Sequence, residues 1–161
     1  MTTTTPTKKL VEATWTVKQI QEAAAAMAAN MCFSAKTVLT KHGDMALLAE
    51  YENTVRKGKI DHYKALGVKT PIELVKAMAE TETNVFGSQI EIMGDDKSAT
   101  MNYISCAMWN QMEKMMGTMT PEQQEKAGAS FQNCVMETAK AFDLKGDVKM
   151  GEKACTITFT K

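Results

Sequence analysis

The stretch that decides the fold spans residues 88–105 and reads SQIEIMGDDKSATMNYIS. Residues 88–93 and 99–105 are short β-prone runs, and the segment Gly94-Asp95-Asp96-Lys97 between them is typical of a tight turn. This pattern predicts a β-hairpin. Residues 148–150 and 154–160 repeat it near the C-terminus, and they predict a second hairpin that turns at Gly151-Glu152.

The chain before the first hairpin has helical periodicity. Thr16 is a candidate N-cap, and Gly43 is a candidate helix end. Between them, apolar residues recur at alternating spacings of three and four, which predicts one buried helix face. That stripe consists of Val17, Ile20, Ala24, Met27, Met31, Ala35 and Val38.

Four more helices follow from local signals. Asp44 caps a second helix to about residue 66, and Thr70-Pro71 opens a third that we expect to reach Phe86. A methionine-rich helix is predicted at about 107–116. Another begins at Thr120-Pro121, ends near 142 and is closed by Gly146.

These elements predict an α+β fold, with N-terminal helices packed with a small antiparallel sheet built from two β-hairpins. A chain of 161 residues fits one core. We expect residues 1–9, rich in threonine and lysine, to form a disordered tail, and residues 10–161 to form a single domain.

The charge balance and the hydropathy pattern limit the classes of binding partner that we expect for this protein. Lys plus Arg and Asp plus Glu number 19 each, so the basic excess of a nucleic-acid-binding protein is lacking. The N-terminus has no signal-peptide core, and the charge-free run at residues 23–35 is too short to span a bilayer. We expect a cytoplasmic protein with reduced cysteines, no nucleic-acid or membrane partner and a small-molecule ligand; homo-oligomerisation stays open.

Three of the four cysteines are candidate site residues. Cys155 alternates in phase with Ile157 and Phe159, so it should face the core or a pocket in it. Cys106 lies where the first hairpin meets a helix. Because a helix N-terminus favours the thiolate form of a cysteine, Cys106 is the best candidate for a nucleophile. Cys134 lies on the apolar side of its helix. The alternative for each is an inert, partly buried thiol.

A metal site is the next hypothesis. Cys106, Cys134 and Cys155 are separated by 28 and 21 residues without a CxxC pair, so spacing alone does not compel a metal. If the fold brings the three thiols together, zinc or iron is the candidate cofactor. Cys32 is expected to stay apart in the N-terminal helical layer.

Two carboxylates and two apolar side chains complete the candidate site. Glu82 falls on the apolar stripe of the third helix, where burial would be costly without a role; the alternative is an exposed last turn. Glu137, three residues after Cys134, is a candidate second carboxylate. Trp109 and Met112 are either core or the soft wall of a ligand pocket.

Three short elements carry a family resemblance. They are Cys106-Ala107-Met108-Trp109 after a strand, Cys134 within a long helix, and the ending GEKACTITF at residues 151–159. Over about residues 85–161 the chain resembles the L-2-amino-thiazoline-4-carboxylic acid hydrolase family and, more distantly, vinyl-reductase-type small-molecule-binding domains. It departs from the family pattern in lacking proline after Cys106 and in having Glu152 where aspartate is usual.

The resemblance implies cysteines that converge on one pocket and hydrolysis of a cyclic amidine such as a thiazoline ring. Water or a thiolate would attack the C=N carbon, and Glu82 would manage the protons. With Arg56 as the only arginine, we expect lysine or backbone N–H groups to hold a substrate carboxylate. The rival hypothesis is a non-enzymatic ligand- or metal-binding sensor or accessory domain.

Overall fold

The computed structural model describes residues 13–151 and 155–161, which form five α-helices, one π-helix and four strands. The α+β prediction is confirmed. The predicted disordered tail and residues 152–154 of the second turn lie outside the described residues. In chain order the elements are α1 (Val17–Lys41), α2 (Met45–Ala65), α3 (Pro71–Thr81), the π-helix (Glu82–Phe86), β1 (Gln89–Gly94), β2 (Ser98–Ser105), α4 (Ala107–Met116), α5 (Pro121–Lys140), β3 (Lys145–Met150) and β4 (Cys155–Thr160).

The helix starts follow the predicted caps. Thr16, Thr70 and Thr120 each accept a hydrogen bond from the backbone N–H three residues on, and a Gln or Glu at that position reaches back to close a capping box. Asp44 caps α2 by accepting from the Leu47 N–H at 3.0 Å. α2 runs unbroken through Gly58, because one glycine in a helix interior costs only about 1 kcal/mol.

The sheet joins the two hairpins edge to edge, in the order β1-β2-β4-β3, with all pairs antiparallel. Met101 on β2 lies opposite Ile157 on β4, so the apolar residues of both strands share one face. The opposite face is mostly polar, apart from exposed Met93 and Ile104, and there Thr156 donates to Asn102 at 3.0 Å. The alternation therefore assigns one face of the sheet to the core.

α3 and α5 cover the apolar face of the sheet. Leu74 and Val75 of α3 are fully buried against Met101 and Phe159. At Gly146 in β3, an added Cβ would lie 3.0 Å from the Ala139 Cβ of α5, so this glycine lets the helix approach the strand closely. Gly146 thus belongs to β3, and the prediction that it closes the preceding helix unit is wrong.

The predicted buried stripe of α1 is wrong. Val17, Met27 and Met31 remain 69, 66 and 70% exposed, and Ile20 and Val38 are also exposed. The helix instead buries Ala25 and Ala29 against α4, the π-helix and α2. Small residues face these neighbours because close helix packing leaves no room for the larger side chains.

The third helix also ends earlier than predicted. α3 stops at Thr81, and the chain continues as the π-helix over Glu82–Phe86 before Gly87 ends it with a φ of 77°. π-helical turns are rare and are often found at functional sites. In the described residues, no helix has both the length and the apolar content needed to cross a bilayer.

Candidate functional site

A pocket of about 350 Å³ opens between the helices and the end of the sheet. Its walls come from α1, α2, α4 and α5, the π-helix contributes Glu82, and β2 and the second hairpin form the sheet side. The lining is mainly apolar with a few polar groups, and the volume suits a small organic ligand.

Of the seven side chains that the sequence analysis singled out for the site, six line this pocket. Cys106, Trp109 and Met112 come from the first turns of α4 and the residue before it, and Glu82 from the π-helix. Cys134 on α5 and Cys155 at the start of β4 complete the set. Cys32 on α1 lines the pocket as well, so the expectation that it would lie apart is wrong.

These thiols do not form a metal-ligand set. In the part of the chain that the structure describes, no three His, Cys, Asp or Glu side chains stand close enough together to hold a metal ion. All four cysteines are free and half-buried. The zinc or iron hypothesis for Cys106, Cys134 and Cys155 therefore has no support from the geometry, and the pocket presents scattered thiols to its interior.

Cys106 begins α4 as predicted, as its N-cap, but the expected thiolate is not favoured. Burial raises the pKa of the Cys106 thiol, the nearby N–H groups of Trp109 and Met108 lower it, and the charge of Glu82 raises it further. Burial likewise raises the pKa of Cys155 to about 12, with added contributions from Cys106 and Glu82. Burial therefore disfavours the thiolate of both cysteines, and the direction of the pKa shift does not support an activated Cys106.

Glu82 is held in a short hydrogen-bonded chain. The buried hydroxyl of Ser88 donates to Glu82 Oε2 at 3.2 Å and accepts from the Ala107 N–H at 3.0 Å. Burial raises the pKa of the Glu82 carboxyl, and the positive charge of Lys59 and the Ser88 hydrogen bond partly offset that rise. Of the two interpretations open from sequence, the exposed helix end is wrong, because Glu82 is half-buried at the pocket wall.

The π-helix that carries Glu82 is anchored by α1. The Gln21 side-chain amide donates to the Thr83 carbonyl at 3.0 Å and to the Asn84 carbonyl at 3.3 Å. At Gly87, which ends the π-helix, an added Cβ would lie 3.2 Å from Gln21 Oε1. Gln21 therefore positions the turn that presents Glu82 to the pocket.

Several pocket residues on α2 carry no local sequence signal. Glu52 accepts from Lys36 of α1 at 2.6 Å and from the Ser130 hydroxyl of α5 at 3.4 Å, so one carboxylate ties three helices together. Arg56 and Lys59 lie further along α2 on the same wall. Because these contacts join residues far apart in the chain, neither spacing nor composition could have found them.

Two hydrogen-bond donors in the wall lack a partner. The Nε of Arg56 and the Nε1 of Trp109 are both buried, and neither has an acceptor among the described residues. An unpaired buried donor costs about 1–3 kcal/mol, so such groups call for an explanation in a native fold. Both atoms are closed off from the pocket, so a ligand would reach them only after a neighbouring side chain moves aside.

Glu137, the candidate second carboxylate, is not part of this pocket. It forms an ion pair with Lys140 at 2.6 Å, and the Lys140 hydrogen bond holds the Glu137 pKa below its usual range. The helix turn between Cys134 and Glu137 directs the two side chains to different surroundings. The site therefore contains two carboxyl groups from other elements, Glu52 and Glu82.

No protein-family model matches this chain, and no curated protein matches it. The resemblance to the thiazoline-carboxylate hydrolase family therefore stays a prediction.

Proposed function

We propose that this protein binds a small molecule with an apolar body and an anionic, hydrogen-bond-accepting end in the pocket between its helices and sheet. The observation that carries the proposal is that one pocket combines a mainly apolar wall with the guanidinium-bearing Arg56 and two lysine side chains. A carboxylate accepts several hydrogen bonds, and guanidinium donors suit it well.

The charges around the pocket agree with an anionic ligand. Three cationic side chains line it (Lys36, Arg56 and Lys59) against two carboxyls (Glu52 and Glu82), which leaves one positive charge in excess even when both carboxyls are ionised. Lys36 is already paired with Glu52. Burial raises the pKa of Glu82, so proton uptake there would enlarge the positive excess.

The apolar body has a matching lining. Phe33, Phe131, Met108 and Met112 contribute aromatic and thioether surface, and the neutral thiols of Cys106 and Cys155 behave as small, weakly polar groups. Such a wall adapts its shape to a flat or branched ligand without presenting charge to it.

Calorimetric titration with 3-phenylpropionate and 2-amino-thiazoline-4-carboxylate tests this proposal. We expect saturable binding of at least one of them, a loss of about tenfold or more in Arg56→Met, and no binding in Ala127→Leu, whose added side chain occupies the pocket. Ala129→Leu, on the exposed side of the same helix, is the matched control. Equal binding by Ala127→Leu and Ala129→Leu would contradict the pocket as the site.

The second candidate function is hydrolysis of a cyclic amidine, and the surroundings of Glu82 favour it. A buried carboxyl with a raised pKa, fixed by Ser88, suits proton transfer to a ring nitrogen as its C–N bond breaks. Because burial disfavours the Cys106 thiolate, water is the better nucleophile for the C=N carbon.

Turnover of 2-amino-thiazoline-4-carboxylate distinguishes the two functions. Catalysis by the wild type should fall by about 10²–10⁴-fold in Glu82→Gln and persist in Cys106→Ala. Binding without turnover by the wild type would leave the non-enzymatic ligand-binding function. Full activity of Glu82→Gln would exclude its role as the acid.

A further inference from the structure

The exposed side of α1 carries a strict seven-residue repeat. One set of positions holds Val17, Ala24, Met31 and Val38, and the second set, three residues later in each heptad, holds Ile20, Met27 and Ser34. These seven positions are here called the α1 seam. Apart from half-buried Ala24, every member is exposed, and the described residues leave the seam open to solvent.

We propose that the α1 seam pairs with the α1 seam of a second copy of this chain, as a short antiparallel coiled coil. A seven-residue apolar repeat matches the period of a helix that is wound around another helix of the same repeat. The packing of α1 on α4, the π-helix and α2 uses a different face, the one that holds Ala25 and Ala29.

The positions that flank the seam are compatible with a second copy of the same helix. On one side they hold Gln21, Ala28 and Ala35, and on the other Ala23, Asn30 and Thr37. Charged residues at these positions normally choose between partners, and here none are charged. A second α1 therefore meets no like-charge repulsion, and the alanines let the two backbones approach closely.

The antiparallel direction gives three complementary layers. Ile20 faces the partner's Val38, Ala24 faces the partner's Ser34, and Met27 faces the partner's Met31, and two-fold symmetry repeats each pair. The layer of two small residues thus lies between layers of larger ones. In the same register Val17 faces the partner's Lys41, which continues the repeat, whereas in the parallel direction two Lys41 side chains would face each other.

The expected dimer is weak. A helix of 25 residues is about 37 Å long and about 10 Å wide, so the contact strip is roughly 400 Å² on each partner in projection. The total lies at the low end of specific interfaces, where association is transient. We expect the dimer to form over the micromolar range.

Analytical ultracentrifugation of the full chain, from low-micromolar to near-millimolar concentration, tests the pairing. We expect a reversible dimer in the wild type and a monomer in the double variant Met27→Glu, Met31→Glu with unchanged far-UV circular dichroism. The control variant Met93→Glu, Met116→Glu places the same charges on exposed methionines outside α1 and should still dimerise. A monomeric wild type would assign the seam to another occupant, such as residues 1–12 or a different protein, and would overturn the proposal. A seam variant that dimerises like the wild type would also overturn it.

Charge rescue tests the direction. Met27→Lys alone and Met31→Glu alone should each weaken the dimer, and an equal mixture of the two chains should restore it, because Lys and Glu meet only when the helices run antiparallel. Restoration by a mixture of Met27→Lys with Met27→Glu instead would overturn the antiparallel arrangement.

Discussion

The core between α3 and the sheet and the wall of the pocket differ in what they bury. Under α3, large apolar side chains such as Leu74 and Phe159 interdigitate and are fully buried. Around the pocket, α1 buries alanines and contributes Phe33, and α2 contributes Glu52 and Arg56, while most of the larger apolar side chains of α1 stay exposed. The first region is built for stability, and the second keeps an open volume and polar groups at the expense of packing.

The largest expected effect separates these regions by stability. Phe159→Ala should lower the free energy of unfolding by about 3–5 kcal/mol, because it leaves a cavity in the packed face of the sheet. Met31→Ala, on the exposed side of α1, should change it by less than about 0.5 kcal/mol. Urea denaturation of both variants measures the difference. Similar losses in the two would contradict the contrast between the regions.

Substitutions at two glycines, one closely packed and one in open space, test the same difference in packing. Gly146→Ala should destabilise the fold by about 1–3 kcal/mol, since the new Cβ would press on Ala139 and Val135 of α5. Gly58→Ala, where nothing lies within 4 Å, should stabilise it by about 0.5–1 kcal/mol by removing a glycine from a helix. Thermal unfolding should therefore move in opposite directions in the two variants.

The anchor of the π-helix gives a smaller effect. Gln21→Ala removes the hydrogen bonds to the Thr83 and Asn84 carbonyls and should cost about 1 kcal/mol, because these groups can still reach water. Amide hydrogen exchange should quicken at residues 82–88 and remain unchanged in β2. Uniform exchange changes across the chain would show that Gln21 does not act locally.

The smallest stability effect depends on pH. The folded pKa of Glu82 is raised by burial, so its contribution to stability is present below the ordinary glutamate pKa of about 4.3 and is lost as pH rises through the folded value. Glu82→Gln should therefore be more stable than the wild type at neutral pH, with a gap that closes on acidification. Denaturation curves across this range measure the gap. A stability gap that widens at low pH would show that folding lowers, rather than raises, the pKa of Glu82.

Local signals predicted much of the fold. The helix starts at Thr16, Thr70 and Thr120 could be predicted because each cap forms hydrogen bonds only with residues close to it in the sequence. Period-two alternation similarly placed Cys155 on the inner face of β4. Apolar spacing on α1, in contrast, identified a stripe but not what the stripe faces, and here it faces solvent.

The site was only partly predictable for the same reason. Cys106 and Glu82 stand out because they interrupt a local pattern, at a helix start and on an apolar stripe. Arg56 and Glu52 of α2 do not, because their roles arise from contacts with α1 and α5 across the fold. The π-helix was not predicted either, because the local spacing of apolar residues does not distinguish it from a further turn of α-helix, and its contact with Gln21 joins residues far apart in the chain.

The emission of Trp109 tests the central claim, occupation of the pocket, most directly. Trp15 is 62% exposed and lies outside the pocket lining, so Trp15→Phe leaves Trp109 as the single tryptophan reporter. Titration of that variant with 3-phenylpropionate or 2-amino-thiazoline-4-carboxylate should shift the Trp109 emission saturably as the ligand changes the surroundings of the indole ring, and adding Ala127→Leu should abolish the shift. Unchanged Trp109 emission with a ligand that calorimetry shows to bind would place the ligand elsewhere and contradict the account.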